Sequence, residues 1–197
     1  MKERPIIFSG ESVRQILVGS KTQTRRVIKP QPYIDDCRNF YQPLKKREQK
    51  KFARHGLGGH NYGQTIDGKP CLWHFVTECP YGRPGDRLWV REAYNLDFCD
   101  EWLYKASCGS AIDAGYSREP KWKPPLYMPR KVSRLTLEIV AVKVEQLQQI
   151  SDEDSSKECG FSVREFKIIW DGINEKKGFG WDTNPWVWAI EFQEITP

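Results

Sequence analysis

The chain has 197 residues, 39% of them hydrophobic and 13% aromatic, which suits one well-buried domain or one small domain with generous insertions; 13 prolines and 15 glycines imply many irregular connections and favour the second. Its formal charge of +5 is unevenly placed, with 14 Lys+Arg against 5 Asp+Glu through His60 and 17 against 21 beyond it, a pattern that suits an anionic partner on the N-terminal side or a solvated basic loop. No apolar run approaches the roughly 20 residues of a membrane-spanning helix, no apolar leader precedes Ile6 and the six cysteines contain no Cys-x-x-Cys pair, so a cytoplasmic setting without a membrane partner is expected.

Residues 5–8 read as a first strand. Residues 9–18 carry Val13, Ile16 and Leu17 at helical spacing behind a capping Ser9, and Gly19 can take the left-handed conformation that ends a helix. Directly behind that stop come Lys21, Thr24, Arg25 and Arg26, with 24–28 reading as a strand. Strict alternation sends Lys21 and Thr24 to opposite sheet faces, so they converge only if the chain is still turning, or is bulged, at Lys21.

Residues 29–70 read as an insertion. Its basic run, Lys45, Lys46, Arg47, Lys50, Lys51 and Arg54, has only Leu44 and Phe52 to anchor it and is either mobile or ordered by a polyanion. A strand is expected at 71–76 and a turn at 79–86. In the strand that follows, Leu88 and Val90 point one way while Trp89 and Arg91 point the other, a face that could accept a base unless Trp89 is covered. A second insertion spans about 95–130, with a short strand around 102–106 and an end kept extended by Pro120, Pro124, Pro125 and Pro129.

Residues 133–144 alternate as a long half-buried strand. Capping boxes at Ser151 and Ser162 start a helix to about Glu158 and another to about Asn174, whose Val163, Phe166, Ile169, Trp170 and Ile173 should cover the sheet. In a last strand at 184–192, Trp186, Trp188, Ile190 and Phe192 share a core-facing side. Strands separated by isolated helices give a single α+β domain over 1–197 with a closed or nearly closed sheet.

The first chemical candidate is Lys21, Thr24 and Glu158. A threonine hydroxyl becomes nucleophilic when a base takes its proton, and a lysine is that base once burial or a neighbouring cation, here Arg25 or Arg26, lowers its pKa. Glu158 sits in the last turn of its helix, where a carboxylate is disfavoured by roughly 0.3–1 kcal/mol. The plainer alternative is a Lys21–Glu158 salt bridge beside an ordinary strand threonine. The second candidate is nucleic-acid binding through Arg25, Arg26, Arg91 and the basic run, with Trp89, Tyr94 or Trp181 stacking on an unpaired base. Cys71, His74 and Cys79, with His55 or His60, lack a second ligand pair at regular spacing, so no metal or cofactor is expected.

The stretch 19–26 resembles the Gly-x-Lys-x-x-Thr/Glu-x-Arg signature of ASCH domains, small β-barrels of the PUA-like superfamily associated with RNA. Further likeness lies at 84–90, 134–144, 158–160 and 187–192, about half the chain, and the whole is similar to ASCH proteins carried by tailed phages and prophages. The resemblance implies a PUA-like barrel flanked by helices, here with two long insertions. In ASCH amidohydrolases acting on N4-acetylcytidine the catalytic Lys and Thr stand where Lys21 and Thr24 do, and the catalytic Glu in a helical stretch like that of Glu158. It therefore implies a site for RNA or a modified nucleoside, with Arg26 orienting the base or stabilising an oxyanion. A non-catalytic RNA or DNA reader serving a phage, and an ASCH-type ribonuclease, are the alternatives.

Overall fold

The computed structural model describes residues 1–29, 31, 79–96, 101–108 and 120–195, with the backbone of four two-residue strands between 33 and 70. The basic run and the strand expected at 71–76 lie outside the described residues.

Five strands form the main sheet: β1 (Glu3–Ile7), β2 (Gln23–Val27), β3 (Arg87–Arg91), β6 (Thr136–Gln146) and β7 (Trp186–Ile195), in the order β1-β3-β6-β7-β2. A hairpin-like pair, β4 (Tyr94–Leu96) and β5 (Trp102–Tyr104), stands beside it. The β1–β3 pair is parallel and the other pairs are antiparallel. The long β6–β7 ladder carries a register shift at Val140, the extra residue that lets a long strand bend.

Three α-helices are described: α1 (Gly10–Leu17), α2 (Asp152–Cys159) and α3 (Val163–Asn174). None is long and apolar enough to cross a membrane. Val13 and Ile16 of α1 join Ile6, Leu88, Val90, Leu137, Ile139, Trp188 and Ile190 in one core. Phe166 and Trp170 of α3 meet Cys159, Leu147, Ile150 and Val187 in a second core. Strand β7 contributes Trp188 to the first and Val187 to the second, so both its faces are covered. At roughly 1.5–3 kcal/mol for each fully buried large apolar side chain, this double burial makes β7 the mechanical centre of the sheet.

Two expectations change. Among the described residues the sheet is not closed into a barrel: β1 and β2 are its end strands. They are nevertheless close, because the Arg26 guanidinium on β2 donates 2.7 Å to the Ile7 carbonyl on β1. In α3, Phe166 and Trp170 are buried as expected, but Ile169 and Ile173 are 43% and 57% exposed. The apolar arc of the helix is wider than its contact with the sheet, and the excess faces a cleft.

Candidate functional site

The cleft owes its shape to two helix ends. Ser9 Oγ accepts from the Ser12 amide and fixes the start of α1. At the other end Gly19 adopts φ 72°, and the Ser20 and Lys21 amides both donate to the Gln15 carbonyl, at 2.9 and 3.1 Å. The chain is therefore still turning at Lys21, and β2 begins only at Gln23. That turn removes the conflict of alternation, and Lys21 and Thr24 line the same cleft. Thr22 clamps the turn in place, donating to the Lys157 carbonyl of α2 and accepting from the Phe192 amide of β7, both at 2.9 Å.

The cleft holds about 600 Å³. Ser12 and Gln15 of α1 form one side, Ile7 and Phe8 another, and Phe161, Ile169 and Ile173 the apolar wall. Lys21, Thr24, Arg25, Arg26 and Glu158 all reach it. Lys21 is 6% exposed, its ammonium donating to the Glu158 backbone carbonyl and lying 5.7 Å from the Phe8 ring centre. Burial, aided by the charge of Arg26 and opposed by that of Glu158, brings its pKa down to about 8. Thr24 is buried too, and among the described residues its hydroxyl makes no hydrogen bond, to Lys21 or otherwise.

Glu158 is held from another direction. One carboxylate oxygen accepts from the Arg25 amide at 2.6 Å and the other from Arg25 Nη1 at 2.7 Å. The same guanidinium, its side chain fully buried, also meets Glu145 at 2.7 Å and Asp154 at 3.1 Å and donates to Gln23 at 2.6 Å. Burial works against its charge, but Glu158 and Glu145 outweigh burial and raise its pKa. Arg25, expected at a nucleic-acid surface, is instead the buried hub of three carboxylates, since alternation on β2 turns it toward α2 and away from Arg26. The Lys21–Glu158 salt bridge does not form; the two meet through a backbone carbonyl.

Arg26 lies over the Phe8 and Tyr81 rings, at 5.2 and 6.0 Å. Burial lowers its pKa, and its Nε is buried without a partner among the described residues. Tyr81 is set by a turn tied down at Asp86, which accepts from the Lys2 amide at 2.7 Å and from Arg4 at 2.9 Å. Nothing in the sequence marks Phe8 or Tyr81, or assigns Ile169 and Ile173 to a cleft rather than to the sheet. A strand-end aromatic, a turn tyrosine and two surplus isoleucines carry no local signal of a shared cleft.

Trp89 is 8% exposed, with the Arg91 guanidinium 4.5 Å from its ring centre, so it offers no open stacking surface. Arg91 donates to the Leu126 carbonyl at 3.2 Å. Tyr94 is buried and Trp181 packs edge-on against Phe166. Lys45, Lys46, Arg47, Lys50 and Lys51 lie outside the described residues, as do Cys71 and His74. Among the described residues no His/Cys/Asp/Glu cluster is arranged to hold a metal, and Cys79, Cys108 and Cys159 are free thiols.

No family model matches the chain, and no curated protein matches it. Two solved structures are similar in outline. An ASCH domain from Lactobacillus crispatus JV V101 shares 10% identity at a TM-score of 0.42, over 98% of this chain and 79% of that one. A DUF984 protein from Enterococcus faecalis V583 shares 8% identity at a TM-score of 0.42, over 99% and 81%. Likeness at that level assigns neither a family nor a function to this chain.

Proposed function

We propose that this chain is an ASCH-type, PUA-like cytoplasmic protein whose cleft binds a cytosine acylated on its exocyclic nitrogen and hydrolyses that amide. The observation that carries the reading is a buried amine with a pKa of about 8 that lines one cleft with Thr24, a buried residue whose hydroxyl has no hydrogen bond among the described residues, and with the Arg26 guanidinium. Of the residues that carry the ASCH resemblance, Lys21, Thr24 and Arg26 line this cleft.

In the neutral form Lys21 takes the Thr24 hydroxyl proton as Oγ attacks the acyl carbonyl carbon. The oxyanion develops next to Arg26. The C–N bond then breaks, the proton held by Lys21 passes to the exocyclic nitrogen, and cytidine leaves with an acyl group on Thr24. Water, deprotonated by Lys21, hydrolyses that ester to give the carboxylic acid and restore the hydroxyl. Glu158 is a positioning residue here: its carbonyl orients the amine, and its carboxylate is held in place by Arg25.

The test is release of cytidine from N4-acetylcytidine by the purified chain, with Lys21→Met and Thr24→Val as controls. The reading requires turnover in the parent and its loss, with folding intact, in both variants. A second reading, a non-catalytic RNA reader of the kind a phage could use against its host, is favoured by the engagement of both Glu158 carboxylate oxygens by Arg25. Absence of cytidine release together with salt-dependent RNA binding selects it, and release of RNA fragments selects a ribonuclease.

A further inference from the structure

Residues 120–132 form a strap beside β3 and β4 that is firmly pinned. The Lys123 amide donates to the Tyr94 carbonyl at 2.8 Å, and the Tyr94 hydroxyl to the Tyr127 carbonyl at 3.0 Å. Further along, the Tyr104 hydroxyl donates to the Val132 carbonyl at 2.7 Å, and Met128 and Val132 are each 1% exposed. Two short 3₁₀ turns, Pro125–Tyr127 and Arg130–Val132, stiffen the strap further.

On this rigid backbone Tyr127 is 70% exposed, with Leu126 beside it at 60%. The ring has been left in solvent although its own backbone carbonyl is held fast. The strap also carries Lys121, Lys123, Arg130 and Lys131 and no carboxylate. Arg130 is paired with Glu3 at 3.0 Å; the three lysines are exposed and make no salt bridge among the described residues. The Lys123 ammonium also lies 5.8 Å from the Tyr94 ring centre. An exposed aromatic ring on a held backbone, flanked by cations that have no carboxylate partner among the described residues, is what an unpaired base and its neighbouring phosphates require, whereas an apolar protein partner would not call for uncompensated charge. The strap also adjoins the cleft: Arg91, which holds the Leu126 carbonyl, stands opposite Ile7 in the β1–β3 register, and Ile7 lines the cleft.

We infer that the strap is a docking surface for single-stranded nucleic acid, with Tyr127 stacking on a base and Lys121, Lys123 and Lys131 meeting phosphates. This deepens the nucleobase reading, since the target base would arrive within a strand, and it rests on that reading for this last step alone.

The experiment is fluorescence anisotropy of the full chain with a labelled oligouridylate of about 12 nucleotides, repeated between about 50 and 200 mM salt. Tyr127→Ala should weaken binding about tenfold, and Lys121→Glu with Lys123→Glu should weaken it further and flatten the salt dependence. All these side chains are exposed, so melting temperatures should be unchanged, and so should deacylation of free N4-acetylcytidine. The inference is overturned if the parent does not bind, if Tyr127→Ala binds as the parent does, or if polyglutamate competes as well as the oligouridylate, which would point to an acidic protein. Failure of the cleft reading looks different: cytidine is not released while the oligonucleotide still binds through Tyr127.

Discussion

Lys21 and Glu158 are coupled by charge without touching through their charged groups, and that gives a sign to test. Glu158 raises the lysine pKa while burial and Arg26 lower it. If Lys21 acts as the base, kcat/KM should climb with pH and level off above about 8. Glu158→Gln removes the negative charge, so the midpoint of that climb should move to lower pH, measured as a full pH–rate profile of both proteins. A midpoint that stays put, or moves up, would refute the coupling. Arg25 poses a harsher test. Replacing it with Ala leaves Glu158, Glu145 and Asp154 facing one another without their shared cation, and the loss of stability should be roughly 3–5 kcal/mol by urea denaturation. The sequence names Arg25 and Arg26 as a pair, but nothing in the dipeptide says which one meets the three carboxylates; the register of β2 against β7 decides that.

The elements themselves were legible because their ends carry chemistry. Ser9, Gly19, Ser151 and Ser162 mark real boundaries, and the helix expected to stop at about Glu158 ends at Cys159, before Gly160 at φ 78°. Gly160→Ala should lower stability by about 1 kcal/mol, a drop in melting temperature of about 2–4 °C for a chain of this size. It should also disturb catalysis, since the carbonyl that holds Lys21 belongs to the same last turn. What periodicity could not give was the breadth of contact. Five apolar positions on α3 share an arc, but the sheet covers Phe166 and Trp170 and leaves Ile169 and Ile173 to the cleft. Likewise the alternation of Trp186, Trp188 and Ile190 marked one buried face of β7, yet Val187 is fully buried on the other, a tertiary fact that depends on α2 and α3 packing there.

For the whole molecule, stability should respond to pH at both ends of the scale. Asp86 is held down to about 2 by the Lys2 amide and Arg4, so its stabilising contribution is complete above the ordinary carboxylate range and is lost as pH falls toward about 2. The gap in urea midpoint between the parent and Asp86→Asn should therefore narrow on acidification. Lys21 changes stability in the same direction with pH, although here it is the charged form that burial disfavours. Below about 8 it is protonated both folded and unfolded and the burial penalty is felt in full. Between there and the ordinary lysine value the folded chain binds fewer protons, so stability should rise with pH, by roughly 3 kcal/mol at most. Lys21→Met should show no such rise.

The contact between Arg26 and the Ile7 carbonyl ties binding to mechanics. The Arg26 side chain spans the gap between the two ends of the sheet, and the same cation lines the cleft. If a guest recruits it, the seam loses its rivet and the end of β1 should loosen. Occupancy would then be visible as faster amide exchange near Ile7 and Phe8, at the very moment the rest of the pocket becomes more protected.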